Sequence, residues 1–315
     1  MRIHRGLSDT VNGLTTGALA IGNFDGVHLG HAALFRAARS SGREGPLAAL
    51  TFDPHPARVL APRYAPPLIC ERARKLELLE GLGVTDVVEQ PFDRAFAATE
   101  PARFVEMLVA TGVREVVVGH DFTYGKGRTG GIESLRSGLE VRGVRLLVVP
   151  KVEVNGLVCS STKIREFVLE GRMEAANMLL GRPFDVDGEV VRGEGRGRKL
   201  GVPTANIRTE NELLPAIGVY AVRARLLGEP QVLPGAANLG LNPTFRENAA
   251  LAGGSGRPPL SLEVHLFDFD KELYGKRLRV EFVSRLREER RFPGIDALKA
   301  QISADIAVAR RLLGA

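Results

Sequence analysis

The pattern of apolar residues changes near residue 150, and this change constrains the fold more than any other feature of the sequence. Before it, short apolar segments alternate with stretches whose apolar residues recur at helical spacing. Strands are predicted at Gly17–Ile21, Leu47–Phe52, Asp86–Glu89, Glu115–Gly119 and Val144–Val149. Helices are predicted at Ala32–Arg39, Glu71–Leu79, Pro101–Ala110 and Glu133–Leu139. Because the strands are apolar throughout rather than alternating, this order predicts a doubly wound α/β domain whose parallel sheet is covered on both faces.

After a helical pair over Ser161–Leu180, interrupted at Gly171, the chain is predicted to form closely spaced strands. These are predicted at Asp187–Arg192, Gly218–Leu226, Leu233–Leu239, Ser261–Phe267 and Leu278–Leu286. Gly, Pro and Asn separate them, which is typical of an antiparallel barrel or sandwich. Apolar residues from Ile295 to Leu313 return to helical spacing and predict a closing helix. We expect domains at residues 1–182 and 183–315, with a mobile low-complexity loop at Ala249–Pro259.

Length and composition fit two globular domains. The chain has 315 residues, of which 44% are hydrophobic and 25% charged. Its formal net charge of +6 has two explanations, a nucleic-acid surface or a solvated Arg-rich surface with sites for small anionic ligands. The basic residues form only local clusters, at Arg192–Lys199 and Arg285–Arg291, and the sequence has no Trp for base stacking. We therefore favour small anionic ligands and expect no nucleic-acid partner.

The cysteines and the hydropathy of the chain indicate the cellular compartment in which it is expected. Cys70 and Cys159 lack CxxC partners, which argues against a disulfide scaffold or a zinc site and favours a reducing compartment. The uncharged stretch Thr10–Phe24 is short and broken by Gly, Asn and Thr, so it resembles neither a signal peptide nor a membrane span. We expect a cytoplasmic protein without a membrane partner, and its oligomeric state stays open.

The first candidate site is the turn Gly22–His31, which joins the first predicted strand to a helix. Glycines let the backbone approach a phosphate, and a helix N-terminus offers free N–H groups and the positive end of its dipole. His28 and His31 are three residues apart, so both imidazoles can face one anion and stabilise charge that develops on a phosphate. The alternatives for the two histidines are a chance surface pair and a metal-binding pair. Their position between strand and helix argues against both.

Two other segments are ambiguous on their own. Ser160–Arg165 places hydroxyls and an Arg at a helix start, as in an anion site or a simple helix cap. Gly125–Gly130 matches the GxGxxG fingerprint of dinucleotide sites but does not follow its strand tightly. No GxxxxGK[ST] motif occurs. The missing motif excludes a P-loop kinase, and the distance of Gly125–Gly130 from its strand argues against an NAD(P) site.

The segment Gly193–Asn206, rich in glycine and arginine, is the strongest signal of the second half. Such a loop can fold over a nucleotide, with its arginines offsetting phosphate charge. Thr204 and Asn206 alternate, so both point to one face of an extended segment. Their hydroxyl and amide oxygens are hard ligands suited to Mg²⁺ that is shared with ATP phosphates. Taken alone, however, the segment is better explained as a Gly-rich hairpin loop.

In combination, the segments resemble the motifs of the bifunctional riboflavin kinase/FMN adenylyltransferase (prokaryotic FAD synthetase) family. In the first half, Gly22–His31 resembles the GxFDGxHxGH signature of HxGH-type nucleotidyltransferases, Thr51–Pro56 resembles FDPHP, Val118–Gly125 resembles VGxDFxFG, and Ser160–Arg165 resembles SSTxIR. In the second half, Gly193–Asn206 resembles GxGRGxxLGxPTAN, Asn242–Phe245 NPTF, Glu263–Phe269 ExHLxDF, and Leu286–Phe292 LRxExxF. The resemblance covers roughly residues 15 to 310.

The resemblance implies a Rossmann-like nucleotidyltransferase domain followed by an antiparallel β-barrel riboflavin kinase domain with a C-terminal helix. The barrel would phosphorylate riboflavin with ATP to give FMN. The first domain would adenylylate FMN to FAD and release pyrophosphate, and Mg²⁺ would serve both steps. Glu263 would be the general base that takes the proton from the 5′-hydroxyl of riboflavin. His28, His31 and Arg165 are the other expected catalytic residues.

The resemblance also implies the binding residues. ATP of the adenylyltransferase is expected at Gly22, Asn23, Phe24, Asp25, His28, His31, Ser161, Thr162 and Arg165, and FMN at Asp53, His55, Asp121 and Phe122. ATP of the kinase is expected at Gly195, Arg196, Gly197, Lys199, Gly201, Thr204 and Asn206, with the metal at Thr204 and Asn206 and the flavin at Glu263 and Arg287.

Some alternatives stay open. Tyr124 stands where the family commonly has Phe, and the Ala249–Pro259 loop is longer than usual. Glu263 could be an outward strand residue, and Arg287 could form a salt bridge with Glu288 or another neighbour. The first domain could be inactive or act on another substrate, although its intact histidine pair argues against that. A nucleic-acid-binding or flavin-sensing protein that has borrowed the fold is the third interpretation.

Overall fold

Two compact units make up the chain. The structure, a computed structural model, describes residues 1–14, 17–42, 45–193, 195, 197, 201–241 and 260–315. The units are Met1–Ser161 and Thr162–Ala315.

A parallel sheet of six strands forms the centre of the first unit. The strands are β1 (Arg2–His4), β2 (Ala18–Ile21), β3 (Leu47–Asp53), β4 (Asp86–Pro91), β5 (Glu115–Gly119) and β6 (Arg145–Val149), in the spatial order β1-β4-β3-β2-β5-β6. Every residue of β2 is buried, and so are most residues of β3, β4 and β5. Strands of this kind are covered on both faces, so the predicted doubly wound α/β domain is confirmed.

Helices cover the two faces of this sheet. They are α1 (Leu29–Ser40), α2 (Pro56–Leu60), α3 (Arg72–Gly81), α4 (Arg94–Ala97), α5 (Pro101–Ala110) and α6 (Ile132–Glu140). Successive side chains of a strand point to opposite faces. Accordingly, Leu19 and Ile21 of β2 pack in one apolar cluster with α5 and α6, whereas Ala18 and Ala20 pack in another with α1 and α3. A small hairpin, β7 (Glu153–Val154) and β8 (Leu157–Val158), follows the sheet.

The strand order reverses beside β2. Strands β3 and β4 lie on one side of it, and β5 and β6 lie on the other. In open α/β sheets, ligands bind outside the carboxyl ends of the strands at such a switch point. Residues 22–28 leave β2 at this edge, and residues 120–125 leave β5 beside them. The topology therefore places two of the sequence motifs at one position.

Two helices, α7 (Ser161–Glu170) and α8 (Met173–Leu180), precede the barrel of the second unit. Gly171 and Gly181 follow them with φ angles of 75° and 73°, the left-handed conformation that ends a helix. Asn177 joins α8 to the barrel, because its side chain donates to the Phe282 carbonyl at 2.9 Å and accepts from the Phe184 N–H at 2.7 Å. The helical pair thus groups with the barrel, and the predicted domain boundary at residues 182/183 stays a prediction.

Six antiparallel strands of the described chain close into the barrel, in the order β10-β13-β12-β11-β14-β9. They are β9 (Phe184–Val191), β10 (Ala205–Thr209), β11 (Gly218–Leu226), β12 (Leu233–Leu241), β13 (Leu260–Leu266) and β14 (Arg277–Arg287). On β13, Leu262, Val264 and Leu266 are buried, while Glu263 and His265 lie on the other, half-buried face. Because β9 pairs with both β10 and β14, the barrel has no open edge, and the predicted barrel is confirmed.

A buried ion pair links the closing strands. Arg279 on β14 and Asp187 on β9 are register partners, and two guanidinium nitrogens each donate to a carboxylate oxygen at 2.7 Å. Both residues are almost fully buried. A bidentate pair of this kind is held by geometry as well as charge. It fixes β9 against β14 in the register that closes the barrel.

The last helix, α9 (Ile295–Leu313), packs on the barrel through Ala309, which lies against Ala221 and Phe267. This is the closing helix that the sequence predicts. Among the described helices, none is both long and apolar enough to cross a membrane. The loop predicted at 249–259 lies outside the described residues.

Candidate active sites

The turn after β2 has an unusual backbone. Phe24, Gly26 and Val27 all have positive φ angles, of 51°, 78° and 40°. Gly26 is required here for a second reason, because a Cβ atom at this position would lie 2.8 Å from the Ile69 side chain. The Phe24 ring is fully buried against His31 and Phe35, so it supports the turn from beneath. The turn is therefore a fixed element of the fold.

His28 and His31 cap α1 together. His28 Nδ1 accepts the His31 N–H at 3.3 Å, and His31 Nδ1 accepts the His28 N–H at 3.4 Å. The two rings stack with centroids 3.6 Å apart. Gly30 permits this packing, since a Cβ there would lie 2.9 Å from the His28 ring. The predicted pair is thus brought together at a helix N-terminus.

The capping bonds decide where the two rings carry their protons. Each Nδ1 accepts a backbone N–H, so each neutral ring is protonated at Nε2. Nε2 is then the donor nitrogen of each neutral ring. The pKa of His31 lies well below its usual value of 6.5, because burial, His28 and Lys75 all disfavour the charged ring. At neutral pH, His31 is a neutral hydrogen-bond donor.

Asp25 and Ser161 connect the turn to its surroundings. Both Asp25 carboxylate oxygens accept the Ile69 N–H, at 2.9 and 3.1 Å. The Ser161 hydroxyl donates to the Asp25 carbonyl at 3.0 Å. Of the predicted ATP residues that follow Ser161 along the chain, Thr162 and Arg165 belong to the second compact unit. Their role at ATP stays a prediction.

A small open pocket lies at the carboxyl edge of β2, β3 and β4. Four predicted residues line it, namely Asn23, Asp25, Asp53 and His55. His55 also caps α2 by accepting the Ala57 N–H at Nδ1. The pocket therefore joins the histidine turn to the segment in which the resemblance places FMN.

The other two predicted FMN residues follow β5 at the same edge of the sheet. Asp121 is exposed, and Phe122 is half-buried and stacks on Tyr124 with ring centroids 5.9 Å apart. Beyond them, Tyr124 pairs with Gly130, which closes residues 125–129 into a tight turn. The GxGxxG match at 125–130 is thus part of a turn and not of a strand-to-helix crossover.

Six pocket residues were not among the predicted site residues. They are Phe52, which lies within the FDPHP motif, and Leu68, Cys70, Arg72, Lys75 and Glu89. Arg72 is bonded to Glu89 by two hydrogen bonds, from Nε at 2.8 Å and from Nη2. Lys75 donates to the Thr51 hydroxyl at 3.3 Å, and Thr51 donates to the Asn23 carbonyl at 3.0 Å. Both cations lie on α3 among other charged residues, so no spacing distinguishes them in the sequence.

The barrel brings together the residues predicted for the kinase. The Thr204 hydroxyl donates to Glu263 Oε2 at 3.2 Å. Asn206 on β10 is the register partner of Glu263 on β13, so the two side chains share one face of the sheet. A Cβ atom at position 193 would lie 2.2 Å from the Asn206 amide, which requires glycine there. Hydroxyl, amide and carboxylate oxygens thus converge on one face.

His265 holds the same segment from the next outward position of β13. Its Nδ1 lies 2.8 Å from the Pro203 carbonyl oxygen. Because a carbonyl only accepts, the ring carries a proton on Nδ1. Glu263 and His265 therefore fix Thr204 and Pro203 side by side against β13.

Arg287 is engaged in an ion pair with α9. Its Nε lies 2.9 and 3.1 Å from the Asp305 carboxylate oxygens, and its Nη2 lies 2.8 Å from Oδ2. Its Nη1 donates to the Glu288 carbonyl at 2.9 Å. The alternative of a neighbouring salt bridge is thus realised, with Asp305 rather than the Glu288 carboxylate. The predicted flavin contact of Arg287 stays untested.

The remaining kinase residues are only partly described. Gly195 and Gly201 have φ angles of 68° and 81°, which favour glycine at both positions. At Gly197, a Cβ atom would lie 2.4 Å from the Val202 carbonyl. Arg196 and Lys199 lie outside the described residues, as does the NPTF segment at 242–245. Among the described residues, no cluster of three or more His, Cys, Asp or Glu side chains could hold a metal ion.

Comparisons with known proteins match both units. An FAD synthetase family model matches residues 12–163, and a riboflavin kinase family model matches residues 180–313. The bifunctional riboflavin kinase/FMN adenylyltransferase of Bacillus subtilis (strain 168) is 38% identical over 293 residues, which cover 91% of this chain and 89% of the relative. The chain belongs to this family. The Escherichia coli (strain K12) member is 37% identical over 320 residues, covering 100% of this chain and 98% of its own.

As a member of the bifunctional riboflavin kinase/FMN adenylyltransferase family, the chain is an enzyme with an N-terminal FAD synthetase domain and a C-terminal riboflavin kinase domain. A solved structure described as a macrolide-efflux protein from Streptococcus pneumoniae has the same fold. It is 30% identical with a TM-score of 0.86, over 98% of both chains. That description is a statement about the Streptococcus protein alone.

Proposed function

We propose that the barrel phosphorylates riboflavin with Glu263 as the general base. We further propose that the parallel-sheet unit joins the resulting FMN to AMP from a second ATP at the His28/His31 turn. One observation supports the kinase reaction and another supports the adenylyl transfer. In the barrel, the Thr204 hydroxyl and the Glu263 carboxylate meet on one face. In the sheet unit, two histidines cap each other over a glycine turn at the switch point.

In the kinase step, Glu263 accepts the proton of the riboflavin 5′-hydroxyl, and the hydroxyl oxygen attacks the γ-phosphorus of ATP. The bond from that phosphorus to the β–γ bridging oxygen breaks, and ADP leaves. The Thr204 hydroxyl donates to Oε2 of Glu263, and Oε1 is the oxygen that we assign to the substrate hydroxyl. A general base of this kind contributes about 10²- to 10⁴-fold in rate.

In the adenylyl transfer step, an FMN phosphate oxygen attacks the α-phosphorus of ATP, and the bond to the α–β bridging oxygen breaks. Pyrophosphate leaves, and no covalent enzyme intermediate is required. The Nε2–H groups of His28 and His31 donate to the phosphate oxygens on which charge develops. The free N–H groups and the dipole of α1 favour the same anion.

The kinase residues fit Mg²⁺. Thr204 and Asn206 offer hard oxygen ligands beside Glu263, and such ligands suit Mg²⁺ that is shared with ATP phosphates. Bound there, Mg²⁺ offsets the charge of the transferred phosphoryl group. Arg196 and Lys199 in the kinase, and Thr162 and Arg165 at the adenylyltransferase ATP, remain assigned by motif. The FMN roles of Asp53, His55, Asp121 and Phe122 also rest on motif and on their shared edge.

We also infer a cytoplasmic location and functional domains at 1–182 and 183–315. Both cysteines are buried free thiols, which suits a reducing compartment. The riboflavin kinase match begins at residue 180, close to the start of β9 at Phe184. ATP, riboflavin, FMN and FAD are the proposed small-molecule partners.

The deciding experiment incubates the purified protein with riboflavin, ATP and Mg²⁺ and separates the flavins. FMN that appears first, followed by FAD, supports the proposal, and EDTA should abolish both. FMN without FAD would favour an inactive or redirected first domain. Neither product, together with salt-dependent RNA or DNA binding, would favour the nucleic-acid interpretation.

A further inference from the structure

Lys75 is a pocket cation that none of the sequence motifs includes. It lies on α3, is half-buried, and lines the pocket together with Asn23, Asp53 and His55. Among the residues that the structure describes, no carboxylate lies within 4.0 Å of its ammonium group, and Thr51 is its one hydrogen-bond acceptor. A half-buried charge without a counter-ion is costly unless a ligand supplies one.

Arg72, one turn earlier on α3, shows the contrast. Its guanidinium is bonded to both carboxylate oxygens of Glu89, so its charge is already neutralised within the pocket. Asp25, a carboxylate within the turn, accepts the Ile69 N–H with both of its oxygens. Of the two Lys and Arg side chains that line the pocket in the described part of the chain, Lys75 is therefore the one whose charge is not already paired with a carboxylate.

The hydrogen bonds of Thr51 orient this charge. A hydroxyl has one proton, and Thr51 donates it to the Asn23 carbonyl. The hydroxyl oxygen can then only accept from Lys75, which uses one of three ammonium N–H groups. Two N–H groups remain for a ligand. Thr51 itself is fully buried on β3, so it is a fixed point for the lysine.

The position of Lys75 matches the place where two phosphates must meet. On one side its charge acts on His31, whose pKa it helps to lower. On the other side, Asp53 and His55 line the same pocket. The histidines are proposed to hold the triphosphate of ATP, and the segment at Asp53 and His55 is proposed to hold FMN. Lys75 thus acts on a residue of the first proposed site and lines the pocket together with residues of the second.

We infer that the Lys75 ammonium group binds a phosphate oxygen where the FMN phosphate meets the α-phosphate of ATP, and that Lys75 is a further catalytic residue of adenylyl transfer. The inference rests on the proposed function. When the FMN oxygen bonds to the α-phosphorus and pyrophosphate departs, Lys75 offsets the repulsion between the two anions. It neither gives nor takes a proton.

The test compares Lys75→Met, Lys75→Arg and Arg103→Met. Lys75→Met keeps the length and apolar stem of the side chain and removes its charge, while Lys75→Arg retains the charge. Arg103 is an exposed helical cation paired with Glu106, so Arg103→Met is the matched control. We expect Lys75→Met to lower kcat/KM for FAD synthesis by about 10-fold or more, Lys75→Arg to recover much of it, and Arg103→Met to leave it unchanged.

The kinetic parameters distinguish the two phosphates. A rise in the KM for FMN identifies the acceptor phosphate, a rise in the KM for ATP identifies the α-phosphate, and a fall in kcat alone identifies a contact made in the transition state. Riboflavin kinase activity of the same preparations should not change. Wild-type kcat/KM in Lys75→Met overturns the inference, and so does a loss that Lys75→Arg does not relieve and that accompanies a lower Tm. A wild-type protein that makes no FAD would instead overturn the proposed function.

Discussion

His28 and His31 each accept the backbone N–H of the other, and their rings stack 3.6 Å apart. One pair of side chains thus completes the first turn of α1 through Nδ1, and each neutral ring carries its proton on Nε2. The capping role and the proposed catalytic role use different ring nitrogens. They can therefore be separated by substitution.

His28→Ala should greatly lower the rate of FAD synthesis and leave FMN synthesis intact, because the proposed phosphate donor is lost only from the sheet unit. His28→Asn is the sharper variant. Asn is a good helix cap and can accept the His31 N–H, but it has no counterpart of Nε2–H. We expect a loss of about 100- to 1000-fold in kcat for FAD synthesis in both variants, measured by separating flavins. Recovery of activity in His28→Asn would show that capping alone is needed.

The lowered pKa of His31 predicts a dependence of stability on pH. Below pH 6.5 the unfolded chain binds a proton at this residue that the folded chain does not, so this contribution to stability is complete above pH 6.5 and is lost as the pH falls. NMR titration of the imidazole should give a pKa well below 6.5, and binding of a non-hydrolysable ATP analogue should raise it. A free-enzyme value at or above 6.5 would contradict the burial argument.

Glu263→Gln should lower the kcat for riboflavin phosphorylation by about 100-fold or more, because the amide cannot take the proton. FAD synthesis from supplied FMN should continue at the wild-type rate. Glu189→Gln is the matched control, since Glu189 is an exposed barrel carboxylate that is paired with Arg208. Equal losses of kinase kcat in Glu263→Gln and Glu189→Gln would contradict the assignment of Glu263 as the general base. Loss of both FMN and FAD synthesis in a folded Glu263→Gln variant would contradict it as well.

Asp187→Ala should destabilise the barrel by about 3–5 kcal/mol, because it leaves the Arg279 charge buried without its partner. The double variant Asp187→Leu/Arg279→Met should recover much of that loss. Breaking the exposed Arg208–Glu189 pair should cost at most about 1 kcal/mol. Urea unfolding followed by circular dichroism measures all three. Similar losses from the buried and the exposed pair would contradict this account.

Much of the fold was predictable because burial leaves a pattern in the sequence. The prediction over Pro101–Ala110 matches α5, and that over Gly218–Leu226 matches β11. The strand predicted from Asp187 begins at Phe184 in the structure, since buried polar residues interrupt its apolar pattern. Strand β1 was missed, because an edge strand of three residues with two exposed positions has no periodicity to detect.

The candidate sites were predictable where a motif is local and not where contacts are distant. The histidine pair is three residues apart, and both its spacing and its helix position are visible in the sequence. Lys75 meets Thr51 from 24 residues away, and Arg287 meets Asp305 from 18 residues away. Such pairs depend on how helices dock on strands. No spacing rule within one segment contains that information.

Glu263 is paired on both sides, with Asn206 on β10 and Asn238 on β12. A shift of one residue along β13 would turn Glu263 to the opposite face and end the kinase reaction. Two ladders set the register of Glu263, so this register does not depend on the number of residues between Leu241 and Leu260. The place of the base is therefore a property of strand pairing, and the two ladders beside β13 are what any redesign of the kinase must preserve.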